Sequence, residues 1–385
     1  MSQGGTRVRH GPPDRTAPRG MLVRQPMRIT LLAPLVAPLR PAQAGGAQVV
    51  LSELARALAR GGEEVEVIAA PGSVLRGVPL RRVRGGPYPQ ALQHWGDEHR
   101  DGGWPALQAG AYLRVADALR GGPPTVVHAH AHDWPAFYAL AAAGLPTVHT
   151  LHLGPLDPAV AAAAEAAART ADRPRFVAVS RACARQWRGI VPVDAVIANG
   201  ADPEQIPFGA APDPGLALVA GRIAPEKGTH LAIAAARRAG LRIALAGDVY
   251  DRVYFEEKVA PLLGPDVERL GAVPHHRLAR LYGRAAVAVV ASLWEEPFGM
   301  VALEANLAGT PVAGFARGAL PEVVSRAGGV LTADATVRGL RAAIVAAVAL
   351  DRRRVRAAAA RRHPLDAMVE RYRAVYCELA AGAGR

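Results

Sequence analysis

Cysteine is almost missing from this chain. Cys183 and Cys377 are the only two among 385 residues. They sit in unrelated contexts with no Cys-x-x-Cys or Cys/His spacing, so neither a disulfide framework nor a structural zinc site is expected, and a reducing cytoplasm fits. Long apolar runs are missing too. No uninterrupted stretch reaches the roughly 18 to 20 residues a membrane span needs, and residues 1–26 carry arginines without an apolar core segment. The expectation is a chain neither secreted nor membrane-spanning. Charged residues are only 21% of the total while half the residues are apolar, which excludes global disorder and supplies packed cores. A length of 385 residues fits two domains of roughly 150 to 200 residues each, and two domains imply a cleft.

Acidic charge is also in short supply: 33 Asp and Glu against 46 Lys and Arg leave a net +13. Such a balance suits nucleic acid, an anionic membrane face or a phosphorylated ligand, and location decides among them. Residues 1–26 hold five arginines against one aspartate and read as a disordered basic tail rich in Gly and Pro. Arg352, Arg353, Arg354 and Arg356 fall on an alanine-rich helical stretch and read as a solvated face. Nucleic acid is therefore not required as a partner. Peripheral contact of the basic surface with the inner membrane face stays open.

The first ordered element is expected at Met27, where MRITLLA is a short apolar run. A Pro/Gly loop follows, then QVVLSELARALAR with apolar residues at helical spacing until Gly61 and Gly62, then the strand EVEVIAA. This is a β-loop-α-β unit with a glycine-rich first turn, the start of a Rossmann-like half. Strands at TVVHAH, PTVHTLH, RFVAVS and AVIANG alternate with alanine-rich helices such as DPAVAAAAEAAART, which implies a parallel sheet covered on both faces. Residues 201–215 hold four prolines and two glycines and read as an interdomain linker. A second series begins at LALVAGR and continues through LRIALAGD, VERLGAV, AVAVVAS and PVAGFA. The fold class is thus α/β, with two Rossmann-like domains facing across a cleft. They are placed at 27–205 and 214–362, and a helix over 363–385, after the break at His363-Pro364, is expected to pack back on the first domain.

In open parallel sheets ligands bind beyond the carboxyl ends of the strands. Arg222 and Lys227 lie in such a loop, in GRIAPEKG, and two cations near a helix N-terminus suit a diphosphate. Taken alone, a strand-end Arg and Lys are more often solvated surface. A second strand end carries Glu295, Glu296, Pro297 and Phe298 before a short helix, where the amides of Phe298, Gly299 and Met300 are free to donate to phosphate oxygens. Glu304 lies inside that apolar helix and needs a partner, either ribose hydroxyls or a neighbouring arginine. Gly45 and Gly46 open the first helix, though a Gly-Gly pair by itself is often a plain turn, and it does not form G-x-G-x-x-G. His128, His130 and His132 alternate along one extended segment and share a face, which does not make a tetrahedral metal site. The loop over 84–105 carries Tyr88, His94, Trp95, His99 and Trp104, suited equally to stacking on an acceptor and to local packing.

The stretch EPFGMVALEANLAGTPVAGFARGALPEVV, with GRIAPEKG upstream, resembles the retaining glycosyltransferases of GT-B fold, family 4 in the sequence classification. Their signature is two glutamates eight positions apart in a context like EPFGxxxxEAxAxGTPV. The resemblance covers about residues 27–360 and is strongest in the C-terminal half. It implies that Arg222 and Lys227 neutralise the diphosphate of a nucleotide-sugar donor as it leaves. It further implies that Glu296 touches the donor sugar's hydroxyls, that Glu304 takes the ribose, and that the turn at Ala272 and Val273 holds the base. Gly45, Gly46 and Asn199, the last in an Asn-Gly-x-Asp turn, would also contact the donor. The family's HxHDW-like stretch places one histidine beside the donor sugar. Alignment on the strand selects His130 and alignment on HDW selects His132, and His130 is preferred. His132, Trp134, Trp95 and Trp104 are left to the acceptor.

No D-x-D motif occurs, so no metal and no other cofactor is expected, two fixed cations and a helix dipole serving instead. UDP is the default donor base and GDP the next, with a hydroxyl of a small molecule, glycan or lipid as acceptor. A sugar-nucleotide epimerase of the same architecture and a non-catalytic sugar-nucleotide-binding protein are the competing readings.

Overall fold

A computed structural model of the chain describes residues 25–40, 46–83, 103–123 and 125–382. The basic tail up to residue 24, Gly45, Trp95 and the rest of the aromatic loop over 84–102 lie outside the described residues, and Trp104 is described only as helix backbone.

Short β-branched runs become strands and the alanine-rich stretches become helices. In chain order the first half comprises β1 (Arg28–Leu32), α1 (Gly46–Arg60), β2 (Glu64–Ala69), β3 (Leu80–Arg82), α2 (Gly103–Arg120), β4 (Val126–Ala129), α3 (Trp134–Ala142), β5 (Thr147–Leu151), α4 (Pro158–Ala168), β6 (Arg175–Ala178), α5 (Arg181–Gln186) and β7 (Val193–Val196). The second half comprises β8 (Asp213–Ala220), α6 (Thr229–Arg238), β9 (Arg242–Ala246), α7 (Arg252–Tyr254), β10 (Val267–Gly271), α8 (His275–Arg284), β11 (Ala285–Val290), α9 (Met300–Leu307), β12 (Val312–Phe315), α10 (Leu320–Val323) and β13 (Gly329–Thr332). Three helices close the chain: α11 (Val337–Ala347), α12 (Arg352–Arg362) and α13 (Leu365–Gly382).

All strands pair in parallel, in a seven-stranded sheet of order β3-β2-β1-β4-β5-β6-β7 and a six-stranded sheet of order β10-β9-β8-β11-β12-β13. Both are doubly wound, and the direction of winding reverses between β1 and β4 in one sheet and between β8 and β11 in the other. A crevice opens at such a reversal, outside the carboxyl ends of the strands. The loops that follow β1, β4, β8 and β11 are the ones that carried Gly46, His130, Arg222 and Glu296, so the topology places the four sequence candidates at the two switch points. The central strands are hydrophobic on both faces, as helix-covered parallel strands must be: every residue of β11 is buried.

The expected linker is shorter than 201–215, because its last three residues, from Asp213, already belong to β8. Gly215's amide donates to Asp213 and Arg242 anchors the same carboxylate at 2.6 Å, so charge at the strand's start overrides the two prolines. A second correction concerns the arginines of α12. Arg353 and Arg354 are exposed, but Arg352 donates to the carbonyls of Gly209, Gly283 and Ala285 and to Thr310 Oγ1. Arg356 likewise donates to the carbonyls of Pro203, Ile206 and Leu307. Carbonyls in loops and at the ends of helices and strands lack regular partners of their own, and a guanidinium with five fixed donors satisfies several at once.

The chain passes between the sheets twice, and the passages touch: Ala201 N donates to His363 O at 3.2 Å and Ala201 bridges Pro364. From there α13 lies against α1, β4 and β5, burying Tyr372 and Tyr376 completely. A Cβ at Gly200 would come within 2.6 Å of Pro364 O, so only glycine permits this close crossing.

Candidate active site

A cleft open to solvent separates the two sheets. Gly46 and Val49 of α1 form one wall, and Gly221, Ala272, Val273, Met300 and Glu304 the other. The domains approach closely here, since a Cβ at Gly46 would meet Met300 Cγ at 3.0 Å. Met300 begins α9, and Gly299 before it is left-handed at φ 95°, with Leu320 Cδ2 2.8 Å from where a Cβ would stand. Any other residue would be strained there, and the turn directs the first amides of α9 at the cleft.

Lys227 and Glu296 meet directly. Lys227 Nζ is 2.8 Å from Glu296 Oε2, Ser292 Oγ donates to the same oxygen at 2.7 Å, and Trp294 Nε1 donates to it at 3.0 Å. Burial alone would raise the Glu296 carboxyl pKa, but the Lys227 charge and these three hydrogen bonds outweigh it and hold the group below its ordinary value. Arg222 stands nearby with its guanidinium 3.4 Å from Glu226 Oε1 and 4.4 Å from the centre of the Tyr250 ring.

Glu304 is nearly buried on α9. Its protein partner is a histidine rather than an arginine: His275 Nε2 lies 3.0 Å from Oε1. The imidazole reaches it from the first residue of α8, directly after the turn at Ala272 and Val273. The hydrogen bond to Glu304 raises the His275 pKa against burial, with Glu304 and Glu53 charges adding to it and Arg56 opposing. The fully buried Tyr282, further along the same helix α8, keeps its proton because of burial and the Glu304 charge.

The first domain's candidates sit apart from that wall. His130 is buried with Nδ1 2.9 Å from His152 Nε2, while its Nε2 has no hydrogen-bond partner among the described residues. His128 bonds Tyr376 and Thr150, and His132 bonds Gly154 O. The three rings do share a face, toward β5 and the loop after it. Among the described residues no cluster of His, Cys, Asp and Glu is arranged to hold a metal ion. Trp134 is half-buried at the start of α3, edge-on to Tyr138. Asn199 is buried, and its neighbour Gly200 lines a recess adjoining the cleft that also reaches Glu53, His275 and Glu304. Phe298 packs under the loop against His363.

The cleft is fastened beyond these groups. Ser180 Oγ donates to Pro297 O at 2.6 Å, and the amides of Arg181 and Ala182 donate to the Glu322 carboxylate at 2.9 and 2.8 Å. The loop of Glu296 is thereby tied to the end of β6. Sequence reasoning missed His275, Ser292, Trp294, Tyr250 and Glu322. Trp294 and Glu322 fall within or beside stretches quoted for the resemblance, but a pairing across 141 positions has no local signature.

The comparisons with known proteins agree with this geometry. A model of the "glycosyl transferases group 1" matches residues 202–363, and one of "glycosyltransferase family 4" matches residues 44–205. A D-inositol 3-phosphate glycosyltransferase of Frankia alni is 32% identical over 339 residues, covering 73% of this chain and 80% of that one. The chain belongs to the group 1 glycosyltransferases. A glycogen synthase of Mycobacterium tuberculosis matches this glycosyltransferase at 32% identity over 285 residues, 66% of this chain and 67% of that one. In fold, an Anabaena protein solved in complex with UDP-glucose is similar with a TM-score of 0.71 and 20% identity, covering 92% of this chain and all of that one. The two doubly wound sheets of this glycosyltransferase are the GT-B architecture. Among the described residues no helix is long and apolar enough to cross a membrane.

Proposed function

We propose that this glycosyltransferase moves a hexose-type sugar from a nucleoside-diphosphate sugar to an acceptor hydroxyl, with retention at the anomeric carbon. The observation that carries the reading is the meeting of Lys227 and Glu296 beside Gly299, just before α9, the helix whose Met300 and Glu304 line the cleft. Arg222 and Lys227 receive the diphosphate together with the first amides of α9. Glu304 takes the ribose hydroxyls, the turn at Ala272 and Val273 takes the base, and Glu296 takes hydroxyls of the sugar. Leaving-group charge builds against the two cations, which is the form of stabilisation worth most in catalysis, so no metal is needed and chelation leaves activity unchanged. The acceptor oxygen attacks the face the nucleotide leaves. His130, with a free ring nitrogen, serves the sugar from the first domain.

UDP is the favoured donor base, in line with the Anabaena protein's UDP-glucose complex, and GDP is the alternative. Relatives named for inositol phosphate and for glycogen leave the acceptor as a hydroxyl of a small molecule, glycan or lipid, met in the cytoplasm. A thermal-shift panel of UDP-, GDP-, ADP- and dTDP-sugars identifies the donor, because a ligand at a hundred times its dissociation constant stabilises by roughly 2.7 kcal/mol. Proton NMR of the product then reads the anomer, and an inverted product contradicts the retaining reading.

A further inference from the structure

Three donors converge on Glu296 Oε2, namely Lys227, Ser292 and Trp294, whereas Oε1 accepts no hydrogen bond among the described residues. Trp294 contributes twice, because its ring also lies 4.8 Å below the Lys227 ammonium. One indole therefore touches both members of the ion pair, its N–H edge on the anion and its π face on the cation. The choice of cation fits this arrangement. Only Lys227 and Lys258 are lysine among the chain's 46 basic side chains, so lysine at this position departs from the chain's habit. An arginine fork would engage both carboxylate oxygens, whereas an ammonium acts as a point charge on one.

We propose that Trp294 is a positioning residue for the donor sugar, holding Glu296 and Lys227 so that Oε1 is the carboxylate oxygen presented to the sugar while the ammonium stays seated for the diphosphate. The inference rests on the function proposed above. Its physical content is separable, since the N–H edge and the ring face act on different partners. Phenylalanine keeps a face and removes the N–H. Leucine removes both. Losing a hydrogen bond to a buried charged group affects the orientation of Glu296 and hence turnover. Losing the face frees Lys227 and affects hold on the diphosphate.

The test has one arm without donor and one with it. In the ligand-free, full-length enzyme labelled with ¹⁵N, the Trp294 indole resonance, identified by its loss in Trp294→Phe, is expected well downfield and is expected to move upfield in Glu296→Gln. An indole resonance unmoved by Glu296→Gln overturns the proposal, whatever the enzyme's substrate. With the donor found by the thermal-shift panel, Trp294→Phe should lower kcat by about tenfold with donor KM within about twofold of wild type. Trp294→Leu should add a several-fold rise in KM. A Trp294→Phe enzyme with wild-type kcat, or Phe and Leu enzymes that cannot be told apart, shows a side chain that merely fills space. If wild type uses no nucleotide sugar, the functional reading fails while the indole arm still decides the positioning claim. Should the leucine variant not fold, Trp294→Phe and the resonance remain decisive.

Discussion

The strand ends of the two sheets face one cleft and solve opposite electrostatic problems. Along β4 and β5 and just beyond them lie His128, His130, His132, His149 and His152, and burial lowers the pKa of every one: to about 4 for His132 and about 3 for His149 and His152. At His132 the Gly154 carbonyl and the Asp157 charge oppose burial without overcoming it. Beyond β8, β10 and β11, Lys227 meets Glu296 and His275 meets Glu304; Lys227 helps hold the Glu296 carboxyl below its ordinary pKa, and Glu304 raises the pKa of His275. A buried ionisable group is neutral or paired, and this molecule assigns the first solution to one domain and the second to the other. Neutral imidazoles suit uncharged sugar hydroxyls, and paired charges suit a leaving diphosphate.

The strongest way to break the comparison is to remove a charge from the second wall. Lys227→Ala should cost roughly 2 to 4 kcal/mol of transition-state stabilisation, as expected for a deleted electrostatic donor, read as kcat/KM. It should also raise the Glu296 carboxyl pKa, because the principal charge opposing burial is gone. Near-normal turnover would remove Lys227 from the mechanism.

The neutral wall is tested by acid. A histidine whose folded pKa is depressed contributes stability that is present above about 6.5 and lost as pH falls from there toward the folded value. His149 stacks on Phe137 at 4.4 Å and beside Phe176 at 5.8 Å, with neither ring nitrogen hydrogen-bonded. Its protonation on unfolding should cost on the order of 2 kcal/mol at pH 5 relative to pH 8. His149→Phe should abolish that part of the acid sensitivity in denaturant titrations at the two pH values. An unchanged pH dependence would mean the ring is already charged or hydrated.

His275 sharpens the paired side. Its pKa is raised, so its contribution is present in full below about 6.5 and lost as pH rises through the folded value. His275→Ala should raise donor KM about fivefold, roughly 1 kcal/mol, with kcat little changed, and His275→Gln should restore part of it. A lower KM in the alanine variant would show that His275 competes with the nucleotide for Glu304. Glu322 is where the second domain lends charge to the first, capping the amides of Arg181 and Ala182. Glu322→Gln leaves one accepting oxygen for the two amides and loses the charge, so about 1 kcal/mol of stability should go, and a loss of several kcal/mol would make it more than a cap.

The fold was legible because its signals are local. β1, α1 and β2 follow from a branched run, a helical period and the Gly61-Gly62 stop, and the second sheet's alternation repeats that pattern for five of its six strands; β13 was not foreseen, and an ion pair at Asp213 extended β8 into the prolines. Arg222, Lys227, Glu296 and Glu304 were legible as a set because their spacing along two loops and one helix is itself a motif. What each touches was not. His275 lies 29 positions before Glu304, and Arg352 and Arg356 look like any solvated arginines until the loops that need their donors are folded beside them. The same holds for the five histidines. Alternation gave His128, His130 and His132 a common face, but only the neighbouring strand supplies His149 and His152 and makes the cluster neutral.

The account stands on the second domain's charged wall as the donor site. Its most direct test is the thermal shift produced by the nucleoside-diphosphate sugar the wild type binds best, measured side by side on wild type, Lys227→Ala and His149→Phe. The prediction is stabilisation near that of wild type in His149→Phe and nearly none in Lys227→Ala, at a concentration about a hundred times the wild-type dissociation constant. Equal stabilisation of Lys227→Ala and wild type would contradict it.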